Sequence, residues 1–289
     1  MAFYAGIHAL ELITWKLGAW HLGRMVKYMN DMKIIDLTPE NIADYGVCGY
    51  KDVNKHPELR KKIEWFNTYY KKGLRIKIAI TEKGSYQGML EYIPGKYAHR
   101  PVEADGYMFI HCIWVGFLKE FKGRGYATAL IQACINEAKN ENMKGVAVVT
   151  RKGSFMAKDD IFLKLGFEVV DTAEPDFHLM VMKFDSGAEN PRFKADLQKN
   201  LEKYKKGLII LRSPQCPYTE KNVNAIVKSA RDVFHLETQV IDLDEADAAQ
   251  NSPCPFGVFC MIYDGKIISH HPISNGRFMN IMKKIYKSN

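Results

Sequence analysis

Residues 119–130 read KEFKGRGYATAL, and the character of the chain changes across them from strand to helix. Gly123 and Gly125 let the backbone take conformations that a Cβ obstructs, and Ala127 keeps the next helical turn clear. A turn of this kind at a helix start presents unpaired N–H groups and the positive end of the helix dipole, which is a seat for phosphate. Lys122 and Arg124 add charge. A nucleotide-triphosphate loop requires GxxxxGK[ST], which this stretch lacks, and the dinucleotide fingerprint GxGxxG fails at Thr128.

Working outward, KIIDL (33–37) reads as a strand, residues 39–48 as a helix, and 56–73 as a longer helix with apolar residues at helical spacing. Residues 75–93 read as a hairpin turning at EKGS, and 106–117 as a long buried strand that runs into the quoted turn. After the turn come a helix (126–142), a strand (144–150), a short helix (158–167) and a strand (177–185). This is a mixed α/β unit over 32–185. A polar break at 186–193 precedes a second, smaller α/β unit over 194–289, with helices at 194–206, 219–234 and 276–286, strands at 207–213 and 237–243, and a hairpin at 258–271.

KGRGYA resembles the pyrophosphate-binding signature [QR]-x-x-G-x-[GA] of the GNAT acetyltransferases, with Lys122, Gly125 and Ala127 in the first, fourth and sixth places. Lys122 departs from Gln or Arg and keeps the cation. The strand before it, the helix after it and FLKLGFEVV (162–170), which resembles the family's Y-x-K-x-GF segment, extend the resemblance over about 33–185. It implies a mixed central sheet flanked by helices, acetyl-CoA as cosubstrate and an amine as acceptor. It also implies that Lys122, Gly123, Arg124, Gly125, Tyr126 and Ala127 bind the pyrophosphate, while free N–H groups of Val115, Gly116 and Phe117 receive the thioester and pantetheine.

Amine attack needs a proton acceptor. His111, on the strand beside the expected thioester, is the first candidate for the base and Glu91 on the preceding strand the second; a buried, hydrogen-bonded histidine is the bland alternative. The tyrosine that many relatives use as acid is replaced by Phe162, which leaves Tyr126, Ser154 or water. By strand alternation His111 and Cys112 face opposite sides, so at most one of them meets the cleft. Trp114 and the aromatics of WFNTYY (65–70) read as core.

In the second unit, Cys216 follows a strand and precedes a helix, a setting that lowers a thiol pKa. CPYT (216–219) resembles the glutaredoxin CPYC with Thr219 in place of the second cysteine, and PCPFGVFCMIYDGKII (253–268) resembles the Pro-strand-turn-strand segment of thioredoxin-like folds. Cys254 is a resolving thiol for Cys216 only where the fold brings the two together. A GNAT unit followed by such a segment resembles the YoaP-type acetyltransferases.

The net charge of +8 is spread in short clusters, which argues against a nucleic-acid footprint. Six scattered cysteines show neither zinc spacing nor a disulfide framework and fit a reducing, cytoplasmic compartment with no metal. Residues 1–31 are apolar but broken by charges, too interrupted for a membrane span, and read as a helical extension or as a start placed too early, because Met32 opens a strand. The resulting expectation is an acetyl-CoA-dependent N-acetyltransferase acting on a small-molecule or peptide amine. The accessory unit carries either a thiol site at Cys216 or a partner or homodimer surface. The rival readings are a thiol-redox or thiol-binding protein with a CoA sensor, and a non-catalytic acyl-CoA-binding module.

Overall fold

The computed structural model describes residues 32–50, 52, 54–116 and 123–288, so the expected N-terminal extension lies outside the described residues. In chain order the elements are β1 (Met32–Leu37), α1 (Ile42–Tyr45), α2 (Pro57–Tyr70), β2 (Arg75–Thr81), β3 (Tyr86–Pro94), β4 (Val102–Glu103), β5 (Tyr107–Val115), α3 (Tyr126–Asn140), β6 (Gly145–Arg151), α4 (Asp159–Lys164), β7 (Glu168–Ala173) and β8 (Phe177–Lys183). They continue with β9 (Arg192–Phe193), α5 (Leu197–Leu201), β10 (Leu208–Arg212), α6 (Val223–Phe234), β11 (Thr238–Asp242), α7 (Ala246–Gln250), β12 (Phe259–Tyr263), β13 (Lys266–Ser269) and α8 (Asn275–Ser288).

The larger sheet has the order β1-β2-β3-β5-β6-β8-β7, and its pairs are antiparallel except for β5 with β6. Strands β2 and β3 are rich in Ile, Leu and Met and buried on both faces, so helices must cover both sides. On one face α2 lays Leu59, Trp65, Phe66 and Tyr69 over Ile76, Ile78, Met89 and Ile93. On the other, α3 sets Leu130, Ile131, Cys134 and Ala138 against Leu90, Met108, Ile110 and Val148.

The smaller sheet has the order β11-β10-β12-β13, with β10–β11 parallel and the other pairs antiparallel. Its apolar residues, among them Ile209, Leu211 and Phe259, with Phe278 of α8, share one continuous core with Phe109, Ala147, Val149 and Leu179 of the larger sheet. The break at 186–193 is stitched down. Within it β9 pairs with β4, Phe193 N–H donates to Asp171 at 2.7 Å, and Tyr107 Oη donates to the Glu189 carbonyl at 2.5 Å.

Three details of the sequence reading change. The edge strand β7 stands where no strand was expected, the helix expected over 194–206 shortens to α5, and α7 is additional. In β7 only Val170, Asp171 and Ala173 are half-buried and the rest face solvent, so its apolar content is too low to stand out.

Candidate active site at the seam

The parallel β5–β6 pairing runs from Tyr107–Gly145 to Ile110–Val148 and then stops, although β5 continues to Val115 and β6 to Arg151. Beyond Ile110, β5 keeps β3 on one edge and has an opened edge on the other. Gly116 N–H is spent on the Gln87 carbonyl at 3.0 Å, which corrects the expectation that it serves the thioester. Successive N–H groups of a strand point to opposite edges, so the neighbouring N–H of Val115 faces the opened side.

At the end of this split lies the turn. Gly123 has φ 71° and Gly125, the N-cap of α3, has φ 80°, both in the left-handed region. Among the described residues no side-chain hydrogen bond caps the helix, and a Cβ built on Gly123 would meet nothing within 4 Å. The described part of the turn therefore fits a pyrophosphate. Tyr126 is buried, Ala127 and Arg124 are half-buried, and Arg124 is engaged within the protein. Phe117 and Lys122 lie outside the described residues.

The floor of the split is polar and sealed. Glu91 pairs with Cys112 and Tyr92 with Ile110, which leaves His111 as the extra residue of a β-bulge. Through the bulge His111 Nδ1 reaches Glu91 Oε1 at 3.1 Å, while Cys112 lies in the field of that same carboxylate. The expectation that His111 and Cys112 face opposite sides is thereby corrected: the bulge cancels strict alternation.

Glu91 also takes an ion pair from Lys62 of α2 and a 2.7 Å bond from Gln215 Nε2; Lys62 in turn donates to the Gln215 carbonyl at 2.6 Å. Burial opposes the Glu91 charge, yet Lys62 and His111 outweigh it and hold the carboxyl down to about 2. For His111 burial wins over Glu91, and the imidazole is carried down to about 4. Its Nε2 accepts the His99 N–H at 2.9 Å, which leaves the proton on Nδ1 facing Glu91. Both ring nitrogens are occupied and the side chains of His111 and Glu91 are fully buried, so neither is placed to take a proton from an incoming amine.

Cys216 stands between β10 and a short 3₁₀ turn (Pro217–Thr219), with α6 starting only at Val223. The expected helix-terminus activation is therefore absent. Burial, reinforced by the nearby Cys112, pushes the thiol up to about 12. Cys254 does not serve Cys216; it lies against His270 Nδ1 at 3.2 Å, and its thiol also hydrogen-bonds Cys260. Phe162 is fully buried in the α3-side core. Among the described residues no group of His, Cys, Asp and Glu could hold a metal ion, and no helix is long and apolar enough to cross a membrane.

Sequence reasoning missed Lys62 and Gln215. Lys62 had a signal, since it interrupts the apolar stripe Leu59–Phe66–Tyr69 of α2, where a solvated lysine has no place. Gln215 had none, because its partner is 124 residues away.

The chain has a mixed α/β sheet with one parallel pair that splits near a glycine turn, and residues 43–167 match the acetyltransferase (GNAT) family. The first unit carries the match to the GNAT family, and the chain is an acyltransferase. Residues 238–280 match the YoaP-like family. The chain is similar to the Bacillus subtilis (strain 168) protein named uncharacterized N-acetyltransferase YoaP, at 26% identity over 257 residues, 88% of this chain and 100% of that one. Among solved structures it is similar to Salmonella typhimurium yncA, held with acetyl-CoA, at TM-score 0.39 and 14% identity over 55% of this chain and 98% of that one. A Bacillus anthracis protein in complex with acetyl coenzyme A aligns at TM-score 0.33 and 21% identity over 41% of this chain and 68% of that one.

Proposed function

We propose that the protein is an N-acetyltransferase that moves an acetyl group from acetyl-CoA directly to an amine: the amide C–N bond forms, the thioester C–S bond breaks, and CoA leaves as the thiol with the proton that the amine gives up. The observation that carries this reading is the split of β5 from β6 beyond Ile110, ending at the uncapped start of α3. When bound, acetyl-CoA supplies an activated thioester. Gly123 to Ala127, with Lys122, hold its pyrophosphate through backbone N–H groups and cations. Val115, Phe117 and the opened edge of β5 hold the acyl arm, and the Val115 N–H is the donor that favours charge building on the acyl oxygen.

Glu91 and His111 are positioning residues in this reading. With Lys62 and Gln215 they fix the bulge and so the pitch of the strand that carries Val115. The second unit supplies Gln215, which makes it part of the machinery. Its β10-α6-β11 crossover followed by the β12–β13 hairpin and α8 supports a thioredoxin-like fold. Cys216 is half-buried, and the upward push of burial on its thiol speaks against a redox role for that unit.

The test is calorimetric titration of the full chain with acetyl-CoA, ATP and glutathione, repeated with Gly125→Glu. Micromolar acetyl-CoA binding that the variant abolishes is the expected result. Binding of glutathione alone, or acetyl-CoA binding that survives the substitution, would sink the reading.

A further inference from the structure

Beyond Val148, where its pairing with β5 ends, β6 runs on to Arg151 and into a loop that carries Ser154 and Phe155. Opposite that loop stands the connection from β13 to α8. Between them is a cavity of about 480 Å³, lined by Arg151, Ser154 and Phe155 on one side and by residues 268–274, Arg277 and Ile281 on the other. The Arg151 guanidinium stands 4.7 Å from the ring centroid of Phe177, which belongs to the core shared by the two sheets and not to the core under α3. The cavity therefore lies on the sheet face away from α3, opposite the side from which a donor seated at the start of α3 reaches the split.

The lining has a definite chemistry. It contains Arg151, His270, His271 and Arg277 and no aspartate or glutamate. Two of the four are spent locally: Arg151 Nε donates to Asp176, and His270 Nδ1 stands 3.2 Å from Cys254 Sγ. Burial opposes a thiolate at Cys254, but bonds from Cys260 and His270 outweigh it and bring the thiol down to about 5, so that this pair adds no net charge. Arg277, exposed at the lip, is then the cation that the cavity offers. A second hollow along α8 shares Arg277 and Ile281 with it and adds Lys283, Lys284 and Lys287, again with no acid in its lining. The summed field draws anions to the mouth. His271 Nδ1 donates to the Pro272 carbonyl at 2.9 Å, which leaves Nε2 of the neutral ring as an acceptor. Phe155, 46% exposed, holds φ 66°, a strained conformation for a bulky residue, and so sets its ring 5.6 Å from His271 across the two units.

We infer that this cavity is the acceptor site and that it takes a small primary amine whose other end carries an anionic group, a carboxylate or a phosphate, held by Arg277. This rests on the acetyltransferase reading above and supplies the acceptor class that reading leaves open. The volume is that of a small-molecule site. A guanidinium grips either anion through paired N–H bonds, whereas a polycation meets Arg277 and the lysines of α8 as like charges. The Ser154 hydroxyl and His271 Nε2 are acceptors for the amine N–H groups, and the Phe155 ring covers the apolar body between the two ends. Because the lining comes from both units, the second unit completes the site.

The experiment uses the full chain with two matched pairs of acceptors, O-phosphoethanolamine against ethanolamine and para-aminomethylbenzoate against benzylamine, with spermidine as the polycation and calorimetry of acetyl-CoA alongside. In at least one pair the anionic member is expected to give a kcat/KM about tenfold or more above its partner, the worth of a charge-assisted hydrogen bond, and the pair with the larger ratio tells phosphate from carboxylate. That advantage should shrink as salt is raised. Arg277→Gln is expected to abolish it by raising KM, with Tm and the acetyl-CoA affinity unchanged because the side chain is exposed, and Arg277→Lys to keep most of it. Phe155→Gly is expected to raise KM for the anionic amines without lowering Tm, since glycine adopts that backbone conformation freely. Failure of the parent protein to bind acetyl-CoA would defeat the underlying reading and the inference with it. Intact acetyl-CoA binding with spermidine preferred, with equal kcat/KM within both pairs, with Arg277→Gln indistinguishable from the parent, or with no heat from either anionic amine at millimolar concentration added to the CoA-saturated protein, would overturn the inference alone.

Discussion

Lys62 is the side chain on which the seam depends. Its ammonium is fully buried and satisfies both Glu91 and the Gln215 carbonyl, so one residue of α2 joins the central sheet to the second unit. Removing one partner of a buried pair leaves the other charge uncompensated, at a cost of about 3–5 kcal/mol. Lys62→Met is expected to lose that much stability in urea unfolding, and a value below about 1 kcal/mol would show that the pair is solvated. Cys216 makes a second expectation at this scale. With its thiol pushed up to about 12, alkylation by iodoacetamide should stay slow and show no inflection below pH 10, read by mass spectrometry. The sequence placed Cys216 at a strand end and Glu91 and His111 on adjacent strands. That burial pushes the thiol up and that the other two are partners was not legible, because both come from contacts between distant segments.

At the scale of elements, the β3–β5 pair carries the split. Gly88 sits where β3 meets the last residues of β5, and a Cβ there would stand 2.6 Å from the Trp114 carbonyl oxygen and 3.1 Å from Val115 Cγ2. The Trp114 carbonyl is backbone, as is Val115 Cα at 3.2 Å, and neither yields as a flexible side chain does, so Gly88→Ala must push the strands apart next to the acyl position. The expected cost is about 1–3 kcal/mol of stability, with a fall in kcat for whichever amine is turned over. Unchanged stability in urea unfolding would mean that the strands open freely there. Most elements were readable from their periodicity: the two long helices, the β2–β3 hairpin and the strand-turn-helix at Gly125. The bulge at His111 was not. A bulge leaves no mark on alternation in a strand that is buried on both faces, and YMFIH gives no polar face from which a slipped register could be seen.

For the whole molecule, the continuous core predicts one cooperative transition. Calorimetry is expected to show a single peak with matching calorimetric and van't Hoff enthalpies, and two resolved peaks would contradict the shared core. Its acid sensitivity has a definite sign. Burial holds His99 down to about 3 and His111 to about 4, against an ordinary value of 6.5. Between those values the unfolded chain binds more protons, so stability is complete above about pH 6.5 and declines as the pH falls. Two such groups give a slope approaching ~3 kcal/mol per pH unit. Urea midpoints at pH 7.5 and 5 measure it, and equal midpoints would mean that the imidazoles are wet. A restart of pattern after 193 was visible in the sequence, whereas the apolar core shared across it was not, since the residues that form it are ordinary core types on either side.

The ribbon of β4 and β9 also bears on how the gene could be divided. Because the chain between the two sheets is itself paired, and because the halves share an apolar core, a cut at 186–188 would sever one covalent bond and leave the β4–β9 pairing and the shared core intact. Two separately made polypeptides, meeting at that point, should find each other and assemble as a noncovalent pair.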